Sequence, residues 1–168
     1  KTDIVTGLYN RRAYYEICNM EYERLVRHHR ILSIIMFDID HFKTINDSYG
    51  HDTGDMVLSN VAGIVEEVIR EYDYAFRMGG DEFLLLLPET SQEQASILAE
   101  RIRTKIGHQQ IVDKNNHMFT LTASFGIAQY SQKDTSIGDV TRKADEALYQ
   151  AKKAGRNRVE VLDRFAII

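Results

Sequence analysis

Two apolar runs, Tyr74-Ala75-Phe76 and Leu84-Leu85-Leu86-Leu87-Pro88, flank the segment Arg77-Met78-Gly79-Gly80-Asp81-Glu82-Phe83. Short apolar runs on either side of a glycine pair define an antiparallel hairpin, because glycine reaches the positive φ that a tight turn between strands requires. The turn is expected at Gly79-Gly80, and the rest of the chain is read around it. Asp81 and Glu82 follow directly, and on a strand they would point to opposite faces. The glycines leave room for a ligand to approach the backbone, so an acidic pair here suits a metal ion and a phosphate. Taken alone, Gly-Gly-Asp describes an exposed turn with solvated acids at least as well. The remaining sequence shifts that balance.

A second apolar run, Ile31-Leu32-Ser33-Ile34-Ile35-Met36-Phe37, is continuous and predicts a strand buried on both faces. It ends in Asp38-Ile39-Asp40. Acids at the end of a buried strand are costly unless they are paired or hold a cation. If the strand continues, Asp38 and Asp40 share a face and Ile39 presents its carbonyl between them. For Asp40, a cap on the next helix is an equally good account.

Helices are expected on either side of these strands. Asn10 is a good N-cap for a helix to about His29, with Tyr14, Ile17, Cys18, Leu25 and Val26 on its apolar side. Arg11, Arg12, Arg24, Arg27 and Arg30 decorate that helix and are expected to form a solvated face. A short helix from His41 ends near Gly50. Asp52-Thr53-Gly54-Asp55 opens an amphipathic helix with Val57, Leu58, Val61, Ile64, Val65 and Val68 inward. Ser91 to Gln94 is a capping box, and its helix is expected to bury Ala95, Leu98, Ile102 and Ile106 and to stop at Gly107. Phe119, Leu121, Ala123, Phe125 and Ile127 alternate with small or polar residues, which predicts a half-buried strand. Asp139 to Ala154 forms the last helix, ended by Gly155 and followed by a short strand at Val159-Glu160-Val161. Lys152, Lys153, Arg156 and Arg158 gather at the C-terminal end of that helix. They suit the helix dipole and a phosphate equally well.

The resulting order is α+β, with helices covering a mixed or antiparallel sheet. The chain has 168 residues, enough for one domain, and no run long enough to span a membrane. Cys18 is the only cysteine, so no intrachain disulfide forms, in keeping with a reducing compartment. A net charge of -4 argues against a general nucleic-acid binder but leaves a single nucleotide open. Neither a Walker loop nor a Gly-x-Gly-x-x-Gly pattern occurs.

The chain resembles the GGDEF domain of diguanylate cyclases, named for the residues that stand here as Gly79-Gly80-Asp81-Glu82-Phe83. The likeness runs through Thr6 to Arg12, Phe37 to Lys43, Ile45-Asn46-Asp47, Gly50-His51 and Gly54-Asp55. It continues through Ser124 to Ala128, Ala144 to Lys152 and Gly155 to Arg158. Val5 replaces a usual leucine.

The resemblance implies a ferredoxin-like sheet similar to nucleotidyl-cyclase and palm domains. It also implies condensation of two GTP into cyclic di-GMP with release of two pyrophosphates. By the same resemblance, Asp38, Asp81 and the Ile39 carbonyl would hold Mg²⁺ or Mn²⁺. Asp81 would be the base, with Glu82 essential beside it, and Lys43 would stabilise phosphate charge. Phe42, Asn46, His51 and Asp55 would form the guanine side of the site, and Lys152 and Arg156 would hold terminal phosphates. Arg70 and Asp73 match an inhibitory Arg-x-x-Asp site for cyclic di-GMP, with Arg101 as a further arginine. Against these stands the simpler account of Arg70 and Asp73 as a pair closing a helix.

The chemistry asks for these residue types independently. Attack of a 3′-hydroxyl on an α-phosphate calls for hard oxygen ligands around a cation and positive charge on the leaving pyrophosphate. Asn and Asp together match the O6 acceptor and the N1 and N2 donors of guanine, and an acid at Asp55 disfavours adenine. The product contains two guanylates and one domain holds one GTP, so a homodimer is expected. A non-catalytic GTP- or cyclic di-GMP-binding module is the alternative, set against the intact Asp38, Asp81 and Glu82. The single domain, residues 1–168, is expected to be cut from a longer protein with an upstream regulatory region. The domain is expected in the cytoplasm, with any membrane attachment through that region.

Overall fold

The computed structural model describes residues 1–162. In chain order the elements are α1 (Arg11–His28), β1 (Leu32–Ile39), α2 (Phe42–Tyr49), α3 (His51–Val68), β2 (Tyr74–Gly79) and β3 (Glu82–Pro88). There follow α4 (Gln92–His108), β4 (Ile111–Val112), β5 (Met118–Phe119), β6 (Ala123–Gln129), α5 (Ile137–Lys153) and β7 (Val159–Val161). Five strands form one sheet in the order β2-β3-β1-β6-β7, and β4 and β5 form a separate small hairpin. Every pairing in the large sheet is antiparallel except β6 with β7. The mixed sheet flanked by helices is the α+β, palm-like architecture expected.

β1 lies at the centre and is buried along its whole length. Its alternate side chains feed two cores. Ile35, Phe37 and Ile39 pack with α3 and α4. Ile34 and Met36 pack with α1 and α5. The same alternation puts Asp38 on the α1/α5 face, opposite Glu82 in the register with β3. Phe37 stacks between Phe83 and Phe125, at 4.9 and 4.7 Å between ring centroids, and so locks the three central strands just behind the acidic end.

Several expectations are corrected. The two-residue hairpin turn is Gly80-Asp81, because Gly79 pairs with Glu82 and the register shifts between Arg77 and Gly79. Gly80 has φ +52° and Asp81 is not in the left-handed region, the φ signature of a type II′ turn. Asp81 therefore sits in the turn rather than on a strand face opposite Glu82. β6 is buried on both faces instead of half-buried. Its small residues admit α5: a Cβ on Gly126 would lie 2.1 Å from the Leu148 backbone nitrogen. Small side chains that look outward-facing in the sequence here mark close helix–strand contact.

In α1, Val26 is 46% exposed, whereas Glu21 is buried and accepts a 2.8 Å hydrogen bond from the Tyr74 hydroxyl. Gly107 lies inside α4, which runs on to His108. Asp40 does not cap α2; the N-cap position is His41, and it makes no side-chain capping bond.

Candidate active site

The C-terminal end of β1, the hairpin turn and the C-terminal half of α5 converge on one cluster of charge. Asp38 forms an ion pair with Lys152 of α5. Burial, together with the neighbouring Asp81 and Asp40 carboxylates, pushes the Asp38 carboxyl up to about 6 despite Lys152. Burial also raises Asp81, against the opposing pull of its own backbone, Lys152 and the Ile39 backbone. Glu82 is raised by burial and by Asp145, with Arg11 and Lys152 opposing. Three carboxylates thus share one lysine, and each holds its proton more tightly than a free side chain does.

Asp40 is different, although it is only two residues from Asp38. Its carboxylate accepts from the Thr122 and Ser124 hydroxyls, each at 2.6 Å, and from the Asn157 backbone N–H at 3.1 Å. Those bonds tie the end of β1 to the start of β6 and to the loop after α5. In that loop Arg156 and Asn157 both adopt left-handed backbone, at φ +64° and +48°. Arg156 is exposed there, beside the same network.

On the other side of β1, α2 begins immediately after Asp40. It has no acid in its first turn and no side-chain cap, and Lys43 is exposed there. Phe42 and Asn46 pack on α3 at Gly54. A Cβ there would lie 1.9 Å from the Asn46 Oδ1 and 3.3 Å from the Phe42 Cζ. Asp55, the next residue, and His51 one turn earlier are exposed at the start of α3. The α2–α3 corner therefore gathers the residues expected on the guanine side.

The hairpin turn is anchored from behind. Arg77 donates through Nε to the Gly80 carbonyl at 3.0 Å and through Nη1 to both oxygens of Asp3 at 3.1 Å. Asp3 in turn accepts from the Thr6 backbone and hydroxyl. This clamp, the Asp40 network, the Gly54 contact and the closeness of Arg11 and Asp145 to Glu82 were not anticipated. Arg11 is exposed, as expected of a solvated face, yet near enough to Glu82 to oppose the rise in its proton affinity. Their sequence signals were present only as members of longer motifs.

Arg70 and Asp73 do meet. Asp73 is buried, and its carboxylate accepts from the Arg70 backbone N–H at 2.8 Å and from Nε and Nη2 at 3.2 Å each. Arg70 also reaches the Thr90 hydroxyl and the Pro88 carbonyl, and its guanidinium lies 4.5 Å from the Tyr72 ring centroid. Among the described residues, Arg101 makes no hydrogen bond or ion pair with either of them; it is exposed on α4.

Asp38 and Asp81 bring two carboxylates, hard oxygen donors, close enough to influence each other, and the Ile39 backbone lies beside Asp81. Their mutual repulsion and burial are the features a divalent cation would relieve, so these residues fit such an ion. Among the described residues, no group of three or more His, Cys, Asp or Glu side chains forms a ready metal cage, so any ion would need further ligands from substrate or water.

A palm-like sheet whose β1 end and hairpin turn carry paired acids, beside an uncapped helix start, defines a nucleotidyl-cyclase type of domain. The family model described as "Diguanylate cyclase, GGDEF domain" matches residues 1–158, and the chain belongs to that family. It is 42% identical over 158 residues to YhcK, an uncharacterized protein of Bacillus subtilis (strain 168), covering 94% of this chain and 44% of that protein. It is 39% identical over 157 residues to a diguanylate cyclase of Vibrio cholerae serotype O1, covering 94% of this chain and 48% of the relative. The chain thus spans less than half the length of these relatives. Its structure superposes with a TM-score of 0.93 on the GGDEF domain of DgcB from Caulobacter crescentus, solved in complex with c-di-GMP. That match has 32% identity and covers 96% of this chain and 93% of the other. No helix among the described residues is long and apolar enough to cross a membrane.

Proposed function

We propose that the chain is an active diguanylate cyclase, joining two GTP into cyclic di-GMP with release of two pyrophosphates. The observation that carries this is the convergence of Asp38, Asp81 and Glu82 on Lys152, all three acids with raised proton affinity. Asp38, Asp81 and the Ile39 carbonyl would hold Mg²⁺ or Mn²⁺. Such an ion, when bound, neutralises charge on the α-phosphate and lowers the pKa of the attacking hydroxyl.

The chain's own groups supply the rest. Asp81 accepts the proton of the 3′-hydroxyl, a task suited to a carboxylate whose basicity burial has raised. Glu82 supports Asp81 from the neighbouring position. Lys43 and the open N-terminus of α2 receive the β- and γ-phosphates, and Lys152 and Arg156 approach them from the end of α5. When Lys152 turns to phosphate, Asp38 loses its only ion-pair partner among the described residues, which favours a cation in its place. Asn46 and Asp55 read the guanine edge, with Phe42 and His51 beside them.

Each domain holds one GTP, so two chains must face each other for the second bond to form. Arg70 and Arg101 would take cyclic di-GMP as inhibitor. Because the Asp73 carboxylate is already occupied by Arg70, its part in this reading is to present the guanidinium, with direct contact to guanine following only if that pair opens.

The test is incubation of the protein with GTP and Mg²⁺ at high protein concentration, followed by separation of the nucleotides. Cyclic di-GMP and pyrophosphate in a 1:2 ratio are expected. GTP recovered unchanged, from a protein that binds it, would establish the non-catalytic module instead.

A further inference from the structure

We propose that the β4–β5 hairpin is the positioning element of the guanine-reading corner, with Phe119 as its key residue. The inference rests on reading Asn46 and Asp55 as the pair that contacts guanine. That pair is carried by two helices meeting at Gly50, a residue with φ +91° that belongs to neither. Nothing in the large sheet's hydrogen-bond ladder includes this corner.

The hairpin grips the corner on both sides of Gly50. Phe119 of β5 stacks on Tyr49, the last residue of α2, with 4.1 Å between centroids and 11° between planes. Lys114, in the hairpin loop, pairs at 2.9 Å with Asp52 in the first turn of α3. The ion pair is exposed on both partners and holds little by itself. The ring stack is half-buried against the core, so it sets the position.

The hairpin is itself stiff for so short an element. The Asp113 carboxylate is buried and accepts the backbone N–H groups of Asn115 and His117, at 2.9 and 2.8 Å. It also meets the His117 ring at 3.1 Å. Ile111, at its base, is buried in the core beneath α3 and α4. A rigid hairpin rooted in the core therefore props the α2–α3 corner. The corner angle in turn fixes the separation of Asn46 from Asp55, because Asn46 already touches Gly54 and has no slack on that side.

Phe119→Ala and Phe119→Leu test this in the full chain with GTP and Mg²⁺, against Phe119→Tyr as the conservative variant. An aromatic pair's worth corresponds to about a two- to tenfold change in an equilibrium constant. KM for GTP and the Kd of a non-hydrolysable GTP analogue are expected to rise by that factor for Ala and Leu, and kcat to stay within about twofold. Preference for GTP over inosine triphosphate, which lacks the N2 amino group, is expected to fall, and Phe119→Tyr to restore it.

An unchanged Kd and unchanged preference in the Leu variant would overturn the hairpin's role. So would a fall in kcat and thermal stability with no change in preference, which is the mark of a merely structural residue. A parent protein that binds no GTP analogue, or does not distinguish guanine from hypoxanthine, would overturn the reading of Asn46 and Asp55 on which the inference rests. The parent's behaviour thus separates the two failures.

Discussion

Asp38→Asn should stabilise the metal-free protein near neutral pH, although it removes an ion pair. The reason lies in linkage. An unfolded aspartate titrates near 3.8, whereas in the folded chain burial holds Asp38 at about 6. Between those values the native state binds more protons than the unfolded state, so the stability contributed by this group falls as pH rises and stays low above about 6. A shift of roughly two units is worth about 3 kcal/mol, an upper bound because the ionised group polarises its surroundings and keeps Lys152. Asparagine never ionises. Relative to the parent, it should be neutral or slightly destabilising below about pH 4 and stabilising by about 1–3 kcal/mol at pH 7–8, on that same linkage. For a domain of this size that is about 2–12 °C in melting midpoint. The assay is urea or thermal denaturation from pH 4 to 8 in a chelator, then with added Mg²⁺. Magnesium should stabilise the parent and not the variant. Parallel pH profiles for the two proteins in chelator, or a variant weaker than the parent at pH 8, would refute the argument that Asp38 is held charged at a cost.

Other outcomes follow from the same geometry. Asp81→Asn and Glu82→Gln are expected to retain the far-ultraviolet circular dichroism of the parent and to lose cyclic di-GMP synthesis by at least about 10²-fold, since an amide neither ligates as an anion nor accepts the proton. Gly54→Ala should raise KM for GTP several-fold, because the new methyl must displace the Asn46 amide; unchanged KM would show that Asn46 does not need its present position. Specific activity should climb with protein concentration wherever sedimentation shows a monomer, and a flat dilution series under those conditions counts against a two-chain site. Arg70→Ala with Asp73→Ala should abolish inhibition by added cyclic di-GMP; if the double variant is inhibited like the parent, the product acts elsewhere.

Much of the fold was legible because its signals are long and periodic. The apolar stripe of α3 and the capping box at Ser91 stand as read, and so does the buried β1 except at its start, where Ile31 lies outside the strand and is exposed. What was missed depends on contacts distant in sequence. Ser124 and Gly126 look like the outward face of a half-exposed strand, and only the arrival of α5 makes them interior. Val26 continues a helical stripe that the sheet does not reach. Strands of two residues, β4 and β5, carry no period at all. In the site, residue types were legible and their partners were not. The sequence offers Lys152 to phosphate or to the helix dipole, and its engagement with Asp38 arises only because α5 crosses the end of β1. Arg70 and Asp73 are recognisable as a pair, but the further bonds of Arg70 to the Pro88 carbonyl and the Thr90 hydroxyl depend on the end of β3 lying beside it.

The contrast between Asp38 and Asp40 shows why four neighbouring carboxylates need not share a role. Asp40 has three well-placed donors, so its acceptor sites are met within the fold without a cation. It therefore serves structure, joining β1, β6 and the loop after α5, and through Asn157 it fixes the backbone that carries Arg156. Asp38 and Asp81 have no comparable set. Their charge is opposed by burial and by each other, and the Lys152 ammonium is shared among Asp38, Asp81 and Glu82, the last also near Arg11. A protein selected for stability alone would replace such a cluster with apolar residues, since an under-compensated buried charge costs more than it returns. Its presence at the end of the best-packed strand, behind a triple stack of phenylalanines, is intelligible if the missing positive charge arrives with a ligand. The rigid core then has a purpose at the site: it keeps the acids from moving apart to relieve their repulsion, and so preserves the charge density that an incoming cation and triphosphate would meet.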